Sequence, residues 1–333
     1  MKKLLLMLAA SLLCSLAHSQ EAEPAGSTAE LAVIPHLELV PNVADQNTGF
    51  NLGNSSLYTL FEGSASEHFS WTVANHWFSA SYASFIEDLT WPYTCLGRSD
   101  VTNWVDFCKA DLTFGSWNFT LGKDCMSIGG FEYEDWDWDV HAGFATPLWC
   151  GIAPYQWGAK AAWTTPSEMS TFALQMTTSP YGEHPFSSGL WAFSGSWRGE
   201  YGWFSNIWSA TAVATEKGVY DWIISLGQKI EFGDWSFTLD YNNVVGFSDD
   251  DAYSMLKGTN LNGTLAFAPS DKFDCAAKYI WTNIGWIAGA YAQFYPIPGT
   301  DDLRLHAGVS YDKFFNTVAL NAGLRYYLRF HLW

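Results

Sequence analysis

The sequence predicts an all-β chain, a transmembrane antiparallel β-barrel of 16 strands, and three observations predict it. The first is the C-terminal segment, where Leu324-Arg325-Tyr326-Tyr327-Leu328-Arg329-Phe330-His331-Leu332-Trp333 alternates apolar and polar residues to its end. Val318, Leu320, Ala322, Leu324, Tyr326, Leu328, Phe330 and Leu332 share one face; Asn321, Arg325, Arg329 and His331 share the other. That period of two describes a strand with an oily side and a wet side. The second is that no apolar run after Ser19 reaches the ~18 residues of a membrane helix. In lipid every backbone donor and acceptor must pair within the protein, so strands can span only as a closed barrel. The third is an aromatic content of 17%, with 19 Trp. Trp71 and Trp77, Trp157 and Trp163, and Trp191 and Trp197 are six residues apart. Each pair therefore sits on one face about 20 Å apart, as two interfacial girdles require.

The elements follow in order. Lys2 and Lys3 precede an apolar stretch from Leu4 to Ala17, and Ala17-His18-Ser19 offers the small residues that a signal peptidase reads before Gln20. The expected division is a signal peptide, 1–19, and one barrel domain, 20–333, delivered to the outer membrane of a Gram-negative bacterium. Cys14 suggests a lipid anchor, but Leu13 stands where a lipobox wants Gly or Ala. Alternation and turn residues then place strands near 33–41, 54–62, 68–79, 103–113, 117–126, 155–165, 169–179, 188–199, 203–215, 219–231, 234–244, 258–268, 272–282, 287–295, 302–312 and 317–333. Pro35 and Pro41 confine the first of these to an edge or an end. The segments at 103–113 and 203–215 do not sort cleanly into two faces, which predicts a bulge or an interfacial stretch.

Connection lengths give an independent check, because such barrels alternate short periplasmic turns with longer external loops. Long connections fall at 42–53, 80–102, 127–154, 180–187 and 245–257. Short ones fall at Gly115-Ser116, Thr165 to Glu168, Glu200 to Gly202, Phe232-Gly233 and Pro269 to Asp271. With Trp333 on the periplasmic side, this parity needs the strand before Asn42, so sixteen strands are preferred over fourteen.

Removing the signal takes two lysines and no acid, leaving 14 basic against 34 acidic residues, a formal charge of −20. Such a surface repels nucleic acid. Five cysteines remain, Cys95, Cys108, Cys125, Cys150 and Cys275, with no zinc-like spacing. Cys95 and Cys150 are the pair that could bridge two loops.

Alternation also sorts side chains. Tyr155, Trp157, Ala159, Ala161 and Trp163 face lipid, which turns Gln156, Lys160 and Thr164 inward. By the same argument Arg198, Asp240, Asn242, Lys278, Arg304, His306 and Arg325 point inward. A polar interior in a barrel this wide encloses a water-filled channel. The third external loop, 127–154, is expected to fold into the lumen as a constriction, because Trp136, Trp138, Phe144 and Trp149 call for burial and Gly129-Gly130 permits a sharp fold-back. Its carboxylates Glu132, Glu134, Asp135, Asp137 and Asp139 would face a wall bearing Lys160, Arg198, Arg304 and Arg325. Opposed charges across a narrow gap set up a transverse field that orients solutes and screens ions. The run is a poor calcium loop, with Val140 at the sixth position where Gly belongs and Thr146 at the twelfth where Glu belongs.

At Leu57-Tyr58-Thr59-Leu60-Phe61-Glu62-Gly63, Ser99-Asp100-Val101-Thr102-Asn103-Trp104, Phe119-Thr120-Leu121-Gly122-Lys123, Gly129-Gly130-Phe131-Glu132 and Leu174-Gln175-Met176-Thr177-Thr178-Ser179-Pro180-Tyr181-Gly182 the chain resembles outer-membrane porins of the phosphate-selective O and P type. The resemblance implies a sixteen-stranded, usually trimeric diffusion channel with an inserted third loop. Phosphate-selective members line their pathway with many Arg and Lys, whereas bases are few here and the third loop is acidic, so phosphate specificity is not carried over.

The expectation is a passive porin for small hydrophilic solutes and ions, with a weak cation preference, as a homotrimer in outer-membrane lipid, without cofactor or metal. The alternatives are an anion- or phosphate-selective pore and a channel-free surface adhesin using 80–102 and 127–154 as an aromatic binding face. Catalysis is not expected: there is no Gly-x-Ser-x-Gly elbow, and the histidines at 36, 68, 76, 141, 184, 306 and 331 lack an evident Ser and acid partner.

Overall fold

The computed structural model describes residues 27–41, 50–51, 55–78, 103–134, 145–182, 186–246, 257–313 and 316–332. The signal region, Cys95 and the acidic positions Asp135, Asp137 and Asp139 lie outside them. Sixteen strands form a closed antiparallel barrel: β1 (Thr28–Pro41), β2 (Ser56–Ser66), β3 (Phe69–Phe78), β4 (Asn103–Phe114), β5 (Trp117–Cys125), β6 (Tyr155–Thr164), β7 (Ser170–Thr178), β8 (Trp191–Glu200), β9 (Phe204–Glu216), β10 (Val219–Phe232), β11 (Trp235–Val245), β12 (Gly258–Ser270), β13 (Phe273–Thr282), β14 (Trp286–Phe294), β15 (Leu303–Asp312) and β16 (Thr317–Tyr326, resuming as Leu328–His331). Each strand pairs with the next, and β1 pairs with both β2 and β16, which removes every free edge. A two-residue ladder, Phe50–Asn51, adds to the end of β1.

The expectation that Pro35 restricts the first strand to an edge is corrected here. β1 is 14 residues long and is paired on both sides. Its ladder to β16 holds at Val33↔Leu328 and His36↔Arg325 and is interrupted between them, at Tyr327. The proline thus lies within a gap of two positions, Ile34 and Pro35, in the closing seam rather than at its end.

Burial follows the predicted alternation. Phe237 and Trp235 are exposed on the outer face of β11, while Asp240 and Asn242 are buried on its inner face. On β1 the exposed Leu37 and Leu39 alternate with buried His36 and Glu38. On the outer surface, near the short-turn end, rings from neighbouring strands run into one another: Trp163 on Phe172 at 6.1 Å, Phe172 on Trp197 at 5.9 Å and Trp197 on Trp208 at 5.1 Å. This is half of the anticipated girdle.

Two strands resist simple alternation for different reasons. In β4 the pairing slips between Ala74↔Phe107 and Asn75↔Val105, leaving Asp106 as the extra residue of a bulge. In β9 the register is regular until Ala214, yet the inner face carries the buried Ile207 and Val213. A polar inner face is not needed there because something else covers it. The connections keep the predicted parity, although Lys217-Gly218 and Asn283 to Gly285 show that long-loop-side links can also be tight.

Candidate functional site

After β5 the chain turns inward across the inner wall. Ser127 N donates to Gln175 Oε1 on β7 at 2.7 Å, and Thr211 Oγ1 on β9 donates to the Ser127 carbonyl at 2.9 Å. Gly129 adopts φ +72°, the left-handed region. Gly130 then lets the backbone lie against the wall, where a Cβ would meet the Cα of Gly227 on β10 at 3.0 Å. The fold-back expected at these two glycines is therefore a close approach of backbone to backbone as well as a turn.

A single turn, α1 (Phe131–Glu134), follows, and its first amides point at the wall. Phe131 N and Glu132 N donate to the two carboxylate oxygens of Asp240 on β11, at 3.0 and 2.9 Å. Glu132 in turn accepts from Thr146 N at 2.9 Å, from the Thr146 hydroxyl, and from Lys278 Nζ on β13 at 2.9 Å. Both side chains of that ion pair are almost fully buried, 1% exposed for Glu132 and 3% for Lys278. Two carboxylates and one ammonium are thus held out of water, an arrangement that persists only when hydrogen bonds occupy the remaining lone pairs. The α1 amides and Thr146 supply them.

The returning limb carries α2 (Pro147–Gly151), capped by Thr146 Oγ1 accepting from Trp149 N at 3.2 Å, with Pro147 at its start where no amide is needed. Beneath the loop lies a small apolar core: Met126, Ile128, Leu148 and Ile152 pack on Ala192, Val213, Ile223 and Val244 from β8, β9, β10 and β11. Tyr133 stands edge-on to Trp149 with centroids 4.6 Å apart and donates to the Leu148 carbonyl at 2.9 Å. The described limbs of the loop, 126–134 and 145–152, cover β7 to β11 and reach β13.

The nominated residues separate. Glu132 is a buried anchor and does not line an open path; Glu134 closes α1; Asp135, Asp137 and Asp139 fall outside the described residues. Lys160 is joined to Asp124 at 2.6 Å, and Lys109 meets the same carboxylate at 3.3 Å. Arg198 reaches Glu200 at 2.9 Å near the short-turn end. Arg304 and Arg325 alone come together, as direct partners in the β15–β16 register, with Arg325 opposite His36 on β1. Burial, with the Asp274 carboxylate next, pushes the phenol of Tyr295, in the connection between β14 and β15, up to about 12, so it remains protonated beside Asp274 and Arg304. Sequence reasoning turned Lys278 and Asp240 inward but did not connect either to the loop. Their separations from it, 146 and 108 residues, exceed anything local patterning reports.

No family model matches the chain, and no curated protein matches it in sequence. Solved structures do match in shape. An OmpF from Salmonella typhi, in complex with daunomycin, superposes with a TM-score of 0.61 at 9% identity, over 90% of this chain and 97% of that one. A mutant of the Rh. blastica porin gives 0.58 at 12% identity, over 91% and 100%. OmpT of Vibrio cholerae, an outer membrane protein in its trimer form, gives 0.54 at 11% identity, over 91% and 99%. At these identities the shared property is the porin fold. The phosphate-selective subtype finds no counterpart among them.

Proposed function

We propose that the chain is an outer-membrane porin, a passive diffusion channel through which small hydrophilic solutes and ions pass beside the anchored limbs of the third loop. The observation that carries this reading is the loop's anchorage at mid-wall by the Asp240, Glu132 and Lys278 network and by an apolar core of its own. A barrel serving only as a scaffold for surface loops gains nothing from a segment held within it. Homotrimer assembly, outer-membrane lipid as surroundings and the signal over 1–19 complete the proposal.

The ion preference is proposed to be weakly cationic. Glu132 spends its charge on Lys278, Lys160 spends its own on Asp124, and Arg198 on Glu200, so these largely cancel. Asp135, Asp137 and Asp139, with the acid excess of the mature chain, set the remaining sign. The test is single-channel conductance with a reversal potential across a salt gradient. Cation preference that grows at about 0.1 M salt and fades near 1 M, as a Debye length of about 10 Å shrinking to 3 Å requires, supports it. The triple change Asp135→Asn, Asp137→Asn and Asp139→Asn should move the reversal potential toward anions. A second reading, anion preference through a basic wall, is favoured by the juxtaposed Arg304 and Arg325. It predicts an anion-selective potential indifferent to the Asp changes and abolished by Arg304→Ala.

A further inference from the structure

The wall beneath the loop carries a block of polar side chains that the anchor does not use. The registers put Ser225 of β10, Asn242 of β11 and Asn260 of β12 in one row, and Gly227, Asp240 and Asn262 in the next. Gly227 and Asp240 lie against the backbone of Gly130 to Glu132, while the row on the other side, Ile223 and Val244, packs with Ile128 and Leu148. The described limbs therefore flank the middle row on both sides, and Ser225, Asn242 and Asn262 are 0%, 1% and 2% exposed. Asn242 Nδ2 donates to Asn260 Oδ1 at 2.9 Å, which leaves Asn242 Oδ1 on the opposite edge of the amide. That oxygen, Ser225 Oγ and Asn262 Oδ1 are buried without a hydrogen-bond partner among the described residues. Directly paired residues hold their Cβ atoms about 5 Å apart, so the Ser225 hydroxyl could reach Asn242 Oδ1, and yet no bond joins them.

We infer that this seat is a cation site: an alkali-metal ion, sodium or potassium, is held by Ser225 Oγ, Asn242 Oδ1 and Asn262 Oδ1 beside the Asp240 carboxylate and fastens the third loop to the wall. The three leftover atoms are all oxygens, the donor set of a hard cation. A buried acceptor left unpaired bears the full cost of its lost hydration, so a partner from outside the chain is favoured there. The charge has the required sign. Asp240 is a buried carboxylate whose oxygens accept from the Phe131 and Glu132 amides and keep further lone pairs, and neither row holds a basic side chain. Lys229 and Lys278 stand one row farther along, each on an acid, Glu231 and Glu132. Two amides, a hydroxyl and one carboxylate suit a singly charged ion. A divalent ion gathers several carboxylates, and among the described residues no three His, Cys, Asp or Glu come together. Because the loop closes the seat, the ion binds the docked form and stabilises it by mass action.

The experiment follows protease cleavage of the 126–154 segment in micelle-folded barrels while sodium or potassium replaces N-methylglucamine, a cation too large for the seat. Ionic strength is held at about 0.3 M so that screening does not change. The docked-to-undocked ratio scales with one plus the ratio of ion concentration to Kd, so cleavage should slow about tenfold once either alkali ion reaches about ten times its Kd. Asn242→Asp adds a carboxylate to the seat and should reach the same protection at lower ion concentration, whereas Ser225→Ala should need more. Side chains that serve only as packing would alter cleavage equally in all three cations. One cleavage rate for the wild-type barrel in all three would overturn the inference and assign the oxygens to trapped water, and so would a cation dependence that neither variant moves. The wild-type series decides by itself if a variant does not fold. None of these readouts needs conduction, so a barrel that forms no channel removes the porin reading and leaves this test standing.

Discussion

Replacing Lys278 by Met isolates the anchor of the third loop. The ammonium is 3% exposed and lies 2.9 Å from a Glu132 carboxylate that is itself 1% exposed. Without it, Glu132 keeps the Thr146 amide and hydroxyl, and Asp240 keeps two amides of α1, but two carboxylates then share a buried site with no cation. Removing one partner of a buried pair costs about 3–5 kcal/mol. The barrel ladder is untouched by the change, so the cost falls on the docking of the loop. A loss of about 3 kcal/mol lowers the docked-to-undocked ratio by about two orders of magnitude. In planar bilayers the variant should show larger, noisier single-channel currents, and the 126–154 segment should become cleavable by protease in intact barrels. The companion Glu132→Gln/Lys278→Met removes both charges and should recover much of the wild-type quiet, since a neutral replacement of a buried ion pair costs far less than a broken one. Quiet, protease-resistant Lys278→Met channels, or a double variant no better than either single change, would refute the account of the anchor.

Two further changes test the wall. Leu239→Arg places a charge on the outer face of β11 and should impair membrane assembly by about 2–4 kcal/mol at mid-bilayer depth, while Thr238→Arg, facing inward, should assemble and alter conductance; equal yields of heat-modifiable barrel from both would show the faces misassigned. Gly323→Ala puts a methyl 2.5 Å from both His306 Cε1 and the Leu37 carbonyl, so closure between β1 and β16 should weaken, read as a lower temperature for loss of the compact electrophoretic form; an unchanged transition would mean the seam relaxes freely.

The strand plan was legible because lipid on one side and water on the other impose a period of two over most of the perimeter. It blurred where that boundary condition fails. Val213 on β9 and Ile223 on β10 face inward but meet Ile128 and Leu148 of the loop, so an apolar inner face is correct there and alternation loses its meaning. Asp106 in β4 is an inserted residue that changes the phase, which no fixed period can follow. The first strand was under-read because a proline argues against pairing on both sides, whereas here the neighbouring ladder yields for two positions, Ile34 and Pro35, and then resumes in register. For the site, burial of Trp149 and the role of Gly129-Gly130 were readable from aromatic cost and backbone freedom. The partners of Glu132 were not. A carboxylate in an acidic loop carries no local sign that its counter-ion lies 146 residues away.

That separation also sets an order in time. A chain made from its N-terminus exposes Met126, Ile128 and Leu148 before β9, β10 and β11 exist to receive them, and Glu132 waits longer still, until β13 is in place. Contacts this distant along the chain form late, because the entropy of closing the intervening segment must be met before they contribute anything. The seam that closes the barrel joins still more distant residues, as at His36↔Arg325, so by the same entropy the loop's anchor can be set before the perimeter is sealed.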